Sequence, residues 1–317
     1  MAISTKLIAI ACLLALLSCS VQGQLSTTFY ARSCKNVEHI VRSVVAQAVK
    51  KEPRMGASIV RLFFHDCFVQ GCDASILLDA APGIATEKNS FGNINSARGF
   101  EVIDAIKQQV ERACKATVSC ADILALAARD SVRLLGGPTW AMPLGRRDSR
   151  TANLGEANQL PAPFFSLSQL NASFAAKGLN FQDLTVLSGA HTVGSAICSA
   201  FNNRVWGGDN NIDNSFALQN RQTCPTSGGD TQLSPLTIPN TNRFSNQFYK
   251  NLVARKGLLH SDQELFNGGF TDALVRKYSN DAKSFFNDFT VSMVKLDNIG
   301  VLTGRSGKVR LNCRKVN

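Results

Sequence analysis

Ten cysteines are spread along this chain of 317 residues, and their positions limit what it can fold into. Two of them lie in the first 23 residues, where Lys6 precedes the apolar run Leu7 to Leu17. This pattern predicts a signal peptide, residues 1–23, cleaved before Gln24. The alternative, a membrane anchor, is disfavoured because the run is shorter than the ~20 residues of a bilayer span. We expect a secreted protein that makes no membrane contact.

The eight remaining cysteines are even in number, and secretion exposes them to an oxidising compartment, so they predict four disulfides. Eight cysteines allow on the order of a hundred pairings, and the count alone leaves the choice open. A zinc site is the alternative, but no spacing typical of zinc ligands occurs. The eight are Cys34, Cys67, Cys72, Cys114, Cys120, Cys198, Cys224 and Cys313.

Positive charge narrows the choice of partners. The formal net charge is +11, or 11 − 1 = +10 once Lys6 is removed with the signal peptide. This charge favours anionic surroundings. The basic residues are scattered along the chain, so we expect no nucleic acid partner and consider a polyanionic matrix polysaccharide the better candidate. Asn171 lies in the only glycosylation sequon, which favours a glycoprotein.

Apolar residues recur at helical spacing through most of the chain after residue 24, and strand-like alternation is nearly absent. We predict a mostly α fold of two helical lobes, with at most a short β-hairpin, formed by residues 24–317 as one domain. Residues 139–164 and 202–241 are interpreted as loops, with room for a hairpin in the second. The predicted helices cover residues 37–51, 57–67, 100–113, 119–135, 166–177, 182–188, 243–256, 264–266, 272–278 and 282–296.

The stretch from Arg61 to Ser75 concentrates reactive groups. Arg61 and His65 are four positions apart, so on a helix they share one face. Such a pair can transfer a proton and stabilise a developing negative charge. Beyond His65, two cysteines are close enough to close a small ring. Asp66, Asp73 and Ser75 lie in or just beside that ring and offer oxygen atoms of the kind that bind Ca²⁺.

Four histidines are present, and two of them have distinctive surroundings. His39 and His260 have charged or polar neighbours and are interpreted as surface residues. His65 and His191 lie 191 − 65 = 126 positions apart, and the small residues in 189–194 leave room for a large flat ligand. One histidine from each lobe would suit a haem iron. Since single histidines are often structural, pattern alone leaves haem as one of several options.

The ordered set of motifs resembles the secretory (class III) plant peroxidases. Arg61 to Ser75 resembles their distal motif, and Leu187 to Gly194 resembles their proximal motif. The resemblance covers residues 24–317 and includes the order and spacing of the eight cysteines. It continues through Glu87 to Asn93, Ala97 to Phe100, Val118 to Ile123, Leu144 to Asp148, Leu160 to Pro163, Gly257 to Asp262 and Arg310 to Cys313.

This resemblance implies a haem peroxidase, with haem b between the two lobes. His191 resembles the axial ligand of the haem iron, and Asp262 the carboxylate that accepts its other N–H. His65 resembles the base that takes a proton from hydrogen peroxide and returns it to the leaving oxygen. Asn93 resembles the residue that accepts the His65 Nδ1–H, and Arg61 the cation that stabilises charge as the O–O bond breaks.

The resemblance also implies partners and a location. Pro161 resembles the residue whose carbonyl meets aromatic donors, so the expected partners are hydrogen peroxide and small phenolic donors. The expected roles are phenol or lignin-type chemistry in the cell wall and peroxide removal in response to oxidative stress. We expect a monomer in the extracellular space, with anionic wall polysaccharide as a further partner. No long tail follows Cys313, so a vacuolar address is less favoured.

A distal calcium ion is implied beside His65. Its ligands would be side-chain oxygens of Asp66, Asp73 and Ser75 and the carbonyls of Val69 and Gly71, with Glu87 linking this site to Asn93. The resemblance further implies a buried ion pair between Asp122 and Arg146. The implied disulfides are Cys34–Cys114, Cys67–Cys72, Cys120–Cys313 and Cys198–Cys224.

The chain departs from the family at a second, proximal calcium site. Thr192 is present, but Thr237, Asn240 and Ser245 stand where the family usually has Asp, Thr and Asp. Because calcium affinity depends on ligand charge, we predict a weak or empty site. The alternative is that neutral oxygens and waters still hold an ion.

Two other functions were considered. The first is a non-catalytic extracellular protein that binds polyanions on the same scaffold. It requires none of Arg61, His65, Asn93, His191 and Asp262, so their presence argues against it. The second, metal-dependent hydrolysis, lacks clustered histidine and carboxylate ligands suited to zinc.

Overall fold

The computed structural model describes residues 25–317, and α-helices make up most of its regular structure. The predicted signal peptide, residues 1–23, lies outside the described residues. Among the helices that are described, none combines the length and the apolar character of a bilayer span. The helices are α1 Val37–Lys51, α2 Arg54–Phe68, α3 Phe100–Ala113, α4 Cys120–Leu134, α5 Leu154–Ala157, α6 Leu167–Ala175, α7 Phe181–Ser188, α8 Asn214–Thr223, α9 Gln247–Val253, α10 His260–Gln263, α11 Asp272–Asn280 and α12 Ala282–Asp297.

Side-chain caps explain where several helices begin. The Ser119 hydroxyl accepts a hydrogen bond from the Asp122 N–H at 3.1 Å and fixes the start of α4. Asn180 and Asp183 form a capping box at the start of α7. The mostly α fold is therefore confirmed, and α1 and α3 have the bounds that their apolar spacing predicts.

The segment 202–241 holds more structure than the predicted loop. Asp213 caps α8, because its carboxylate accepts a hydrogen bond from the Phe216 N–H at 2.9 Å. Only three residues of α8 are buried. A helix with so few buried apolar residues shows little hydrophobic periodicity in its sequence, and the segment was therefore predicted as a loop. The two strands, β1 Ser195–Ile197 and β2 Leu233–Pro235, are antiparallel and enclose α8 in sequence, so they are not joined by a tight turn. In the other predicted loop, 139–164, the structure has α5.

The core has one helix at its centre. Thirteen of the fifteen residues of α4 are buried, and α4 packs against α1, α2 and α3. In a second group of helices, α7, α9, α11 and α12 pack around an aromatic cluster in which Tyr249, Phe285 and Phe289 are 0 % exposed, whereas α8 packs in a separate, smaller hydrophobic cluster. Helix α12 also contacts α2, which joins the two groups. The active-site candidates lie on α2 and in the segment after α7, one in each group.

Four disulfides connect the described chain, with the pairing that the resemblance implies. Cys120–Cys313 joins the start of α4 to a residue 193 positions later, and Cys34–Cys114 spans 80 positions. Cys67–Cys72 and Cys198–Cys224 close shorter loops of 5 and 26 positions. The long links hold the first helical group together, whereas Cys67–Cys72 shapes a single turn.

Candidate functional site

His65 lies on the last two turns of α2, and its imidazole is held by an amide. Nδ1 of His65 is 2.5 Å from Oδ1 of Asn93, and Nδ2 of Asn93 donates to the Glu87 carbonyl at 3.0 Å. The second bond orients the amide, because only its nitrogen can donate to a carbonyl. Oδ1 must then accept a hydrogen bond from the N–H at His65 Nδ1. The free electron pair of the imidazole is therefore on Nε2, where a general base needs it.

Electrostatics keep His65 neutral. Burial lowers the pKa of His65 well below its usual range, and the Arg61 charge lowers the pKa further. The hydrogen bond with Asn93 acts in the opposite direction but does not prevail. A neutral imidazole at neutral pH can accept a proton.

Arg61 shares the helix face of His65, as the sequence spacing predicts. Nη2 of Arg61 donates to the Gly92 carbonyl at 2.5 Å and to the Ser96 hydroxyl at 3.1 Å. Burial lowers the pKa of Arg61 to about 10, so the guanidinium stays positive at neutral pH. Because its partners are neutral, the charge remains available to an anion next to His65. Ser96 was not predicted from the sequence, because it lies between the two matching segments Glu87 to Asn93 and Ala97 to Phe100.

His191 lies in a short 3-10 turn, Gly189–Thr192, that continues α7. Its Nδ1 is 2.8 Å from Oδ1 of Asp262, and the Asp262 side chain is only 3 % exposed. Burial alone would lower the pKa of His191, but the Asp262 charge and hydrogen bond raise the pKa above its usual value. With Nδ1 engaged, Nε2 is the nitrogen left for a ligand.

The two histidines face a common interior region. The charge of His191 contributes to lowering the pKa of His65, and the Arg61 charge acts on both histidines. The segment after His191 also touches α2, since a Cβ built on Gly194 would lie 3.1 Å from the Ala57 Cβ. The fold thus brings two histidines that are 126 positions apart close enough for their charges to interact.

The donors around His191 suit a haem iron. Although it lies deep in the protein, the His191 side chain is 40 % accessible, so it is not simply a packed core residue. Its Nδ1 is bonded to a carboxylate, the usual partner of a histidine that binds a metal through its other nitrogen. These residues fit a haem, whose iron would be held by Nε2 of His191.

Gly189 leaves room for the aromatic cluster. A Cβ at this position would collide with the Tyr249 hydroxyl and would lie 2.7 Å from Phe285 Cε2. Packing between α7, α9 and α12 therefore requires a glycine here. The room for a flat ligand predicted along residues 189–194 stays a prediction.

The last turn of α2 and the loop after it bring acidic groups together in the interior. Asp66 and Asp73 are 1 % and 3 % exposed, and the Cys67–Cys72 bond brings the two cysteine Cα atoms to 4.0 Å. Burial and the neighbouring Asp73 charge raise the pKa of Asp66 well above its usual range. Burial likewise raises the pKa of Asp73 to about 6. Two buried carboxylates that repel each other are stabilised by a bound cation.

Unpartnered oxygens in the same loop strengthen the fit to calcium. The Ser75 hydroxyl and Oε2 of Glu87 are buried and have no hydrogen-bond partner, while Oε1 of Glu87 accepts the Asn153 N–H at 2.9 Å. Within residues 25–317, no three His, Cys, Asp or Glu side chains form a metal site by themselves. Calcium would therefore need the hydroxyl and carbonyl oxygens of Ser75, Val69 and Gly71 besides the two aspartates.

The proximal residues do not fit a second calcium ion. The hydroxyl of Thr237 donates to the His191 carbonyl at 2.8 Å, and the Thr192 hydroxyl lies 3.5 Å from that of Ser245. Asn240 is exposed, and its Oδ1 accepts the Asn242 N–H at 2.9 Å. The set has no carboxylate, and its oxygens already have protein partners.

Three other residues singled out in the sequence differ in their exposure and contacts. Pro161 is half-buried next to Leu160, and Leu160 and His65 both lie against Gly92. His39 is exposed as predicted. His260 is not a free surface residue, because its Nδ1 lies 2.9 Å from Asp209, which also binds Arg204.

The implied ion pair of Asp122 and Arg146 is present, and a third member was missed. Nη1 of Arg146 lies 2.8 Å from Asp122, and Nη2 lies 2.5 Å from Asp297; all three side chains are fully buried. The Tyr30 hydroxyl also donates to Asp122 at 2.7 Å. Burial raises the pKa of Asp297 to about 7, despite the Arg146 charge.

Comparison with known proteins agrees with this geometry. The family model described as Peroxidase matches residues 41–281. Peroxidase 2 of Oryza sativa subsp. indica is 54 % identical over 306 residues, which cover 96 % of each chain. Peroxidase 4 of Vitis vinifera is 52 % identical over 307 residues, which cover 96 % of this chain and 95 % of the relative. The lignin-forming anionic peroxidase of Nicotiana sylvestris is 50 % identical over 307 residues, with 96 % and 95 % covered.

The mostly helical fold, the two hydrogen-bonded histidines and these matches together define a peroxidase type of protein. The chain belongs to the peroxidase family, in its class III plant group.

Proposed function

We propose that this peroxidase binds haem b through Nε2 of His191, reduces hydrogen peroxide, and oxidises small phenolic donors one electron at a time. Residues 24–317 would form a single haem peroxidase domain. The observation that carries the proposal is the arrangement of two oriented imidazoles. His65 is held by Asn93 with Nε2 free, and His191 is held by Asp262 with Nε2 free.

The haem, when bound, supplies the redox chemistry, and the side chains handle protons and charge. Nε2 of His65 accepts a proton from one oxygen of hydrogen peroxide and delivers it to the departing oxygen, which leaves as water. The Arg61 guanidinium stabilises the negative charge that develops as the O–O bond breaks. Asp262 increases the electron donation of His191 through the Nδ1 hydrogen bond.

The donor site lies near the half-buried Pro161, whose neighbour Leu160 approaches Gly92 and His65. A small phenol would need only electron contact at this place, so we propose broad donor specificity. The name of the Nicotiana sylvestris relative supports lignin-type phenols as one donor class. We propose a monomer in the extracellular space, and the net charge of +10 without residues 1–23 (11 − 1, for Lys6) supports contact with anionic wall polysaccharide. The family assignment favours this enzyme over the non-catalytic polyanion-binding protein.

We propose one calcium ion in this protein, in the loop of Asp66, Asp73 and Ser75 with the carbonyls of Val69 and Gly71. Glu87 connects that loop to His65, since its carbonyl holds Asn93. We propose that the site around Thr192 holds no tightly bound calcium, because its oxygens are neutral and engaged.

A visible absorption spectrum before and after peroxide addition tests the proposal. The purified protein should have a strong haem band that shifts on mixing with peroxide. His191→Ala should lose the wild-type haem spectrum, whereas His65→Ala should bind haem normally and react with peroxide at least about a hundredfold more slowly. A haem band unmoved by peroxide would reject the catalytic proposal, and full reactivity of His65→Ala would reject the assigned base.

A further inference from the structure

The backbone around His191 is held by a polar segment that none of the roles above uses. This segment, residues 236–241, continues strand β2 and lies beside residues 191–194, which lead into strand β1. The Leu236 N–H donates to the Gly194 carbonyl at 3.1 Å, and the Gly194 N–H donates to the Thr241 carbonyl at 2.9 Å. The Thr241 hydroxyl also donates to the Gly194 carbonyl. We call residues 236–241 the proximal clasp.

Thr237 makes the contact of the proximal clasp that reaches His191 itself. Its hydroxyl donates to the His191 carbonyl at 2.8 Å, and its side chain is 1 % exposed. Thr192, the next residue in the turn, is 0 % exposed and meets the Ser245 hydroxyl. A carbonyl in such a place needs a donor, since an unpaired buried carbonyl is costly.

Two separate bonds therefore define the direction of the imidazole. Asp262 fixes the ring at Nδ1, and Thr237 fixes the main chain from which the ring projects. A ligand side chain must be held to within about 0.5 Å to bind a metal productively. With either bond absent, the ring could tilt about the other.

We propose that Thr237 is a positioning residue for His191, and that its hydroxyl does this without a cation. The inference rests on the proposed role of His191 as the iron ligand. A hydrogen bond between two uncharged groups, the Thr237 hydroxyl and the His191 carbonyl, holds the backbone of the ligand residue. The side chains of Thr192, Asn240 and Ser245 are also uncharged, so they offer little attraction to a cation. Chelating agents should accordingly leave the His191 side of the haem unchanged.

The test compares Thr237→Val, which keeps the shape and lacks the donor, with Thr237→Ser, which keeps the donor. Two properties of the haem-loaded proteins are measured: the visible spectrum, which reports iron coordination, and the rate of haem transfer to excess apomyoglobin. Thr237→Val should lose haem about tenfold faster than wild type, as expected for an unpaired buried carbonyl, and its spectrum should change. Thr237→Ser should resemble wild type. If the valine variant does not fold, Thr237→Ala gives the same comparison.

Three results would overturn the inference. A valine variant with wild-type spectrum and haem loss would remove any positioning role. A serine variant as defective as valine would assign the effect to packing instead of the hydroxyl. Recovery of the valine variant in millimolar calcium would mean that a cation can perform the task. His191→Ala separates this outcome from failure of the proposed function: if it retains the wild-type spectrum, the ligand assignment itself is wrong.

Discussion

Oδ1 of Asn93 lies 2.5 Å from Nδ1 of His65, and the other end of the same amide is tied to the Glu87 carbonyl. The amide thus selects the tautomer of the imidazole. Replacement of Asn93 by Leu keeps the volume and removes the acceptor. We expect the second-order rate constant for peroxide to fall about 10- to 100-fold, the usual effect of losing the partner that orients a functional histidine. Stopped-flow absorbance of the haem band measures it.

Asn93→Asp is the matched control for that change. It retains an oxygen acceptor and adds a negative charge, which should raise the pKa of His65. Its rate at neutral pH should stay closer to wild type, while the acid limb of its pH profile moves to higher pH. If Asn93→Leu reacts at the wild-type rate, the amide does not control the base.

Asp73 provides a test of the calcium loop. We expect metal analysis to find one calcium ion per chain, and Asp73→Asn to lose it because a carboxylate ligand is removed. A ligand present at a thousand times its Kd stabilises the fold by about 4 kcal/mol, so thermal unfolding should detect its loss. Asp79→Asn is the control, since Asp79 is half-exposed and pairs with Lys88 outside the loop. Two tightly held calcium ions would contradict the assignment at Thr192, and none would contradict the loop.

Gly300 supports the same loop from the C-terminal side. Its φ is +56°, and a Cβ there would lie 2.5 Å from the Gln70 carbonyl oxygen. Gly300→Ala must therefore displace the loop, and we expect it to lower the free energy of unfolding by about 2–4 kcal/mol and weaken calcium binding. Gly304 has nearly the same φ, +59°, with open space around it. Gly304→Ala should cost only about 1 kcal/mol, the intrinsic cost of that conformation. Equal effects would mean that the contact with Gln70 is unimportant.

Asp297 should make stability depend on pH. Burial raises its pKa to about 7, above the usual value of about 4 in an unfolded chain. Between these values the folded protein keeps a proton that the unfolded chain has released. Its contribution therefore falls as pH rises from about 4 to about 7 and is constant above that range. Asp297→Asn should flatten this dependence.

Urea unfolding at several pH values between 5 and 8 measures the slope, in buffer with excess calcium so that Asp66 and Asp73 stay ionised. Asp104→Asn is the control, because this partly exposed residue pairs with Arg314 at the surface, so its loss should leave the slope as in wild type. An Asp297→Asn variant with the wild-type slope would show that another group titrates. The charged groups acting on Asp297 are Arg146, Asp122 and Arg129.

Local rules explain which parts of the fold could be predicted. Helices α1 and α3 have wide apolar stripes, and α4 has a serine cap, so pattern and chemistry agree on their bounds. Helix α8 buries one narrow face and is capped by Asp213, a signal that is weak among the polar residues around it. A helix could be predicted from the sequence where it buries a wide apolar face, and it could not be predicted where it buries only a narrow one.

Spacing alone predicted the types of residue in the candidate site, while the His65–Asn93 and His191–Asp262 pairs were expected only from the resemblance. Spacing on one helix face placed Arg61 beside His65, but only the fold brings His191 near them. No local pattern connects Asp297 with Arg146, which is 151 positions earlier. The contact of Thr237 with His191 was also not predictable, because a hydrogen bond from a hydroxyl to a distant backbone carbonyl does not affect the hydrophobic periodicity of the sequence.

The Cys120–Cys313 disulfide has a consequence for the timing of synthesis. Its two cysteines are 193 positions apart, and translation proceeds at about 5–20 residues per second, so they are made about 10–40 s apart. Cys34 and Cys114, by contrast, are both made before Cys120. During that interval the first helical group can fold and form the Cys34–Cys114 disulfide, whereas Cys120 stays unpaired until Cys313 has been synthesised. The Cys120–Cys313 link can therefore form only after synthesis has reached residue 313, later than either cysteine of the Cys34–Cys114 link.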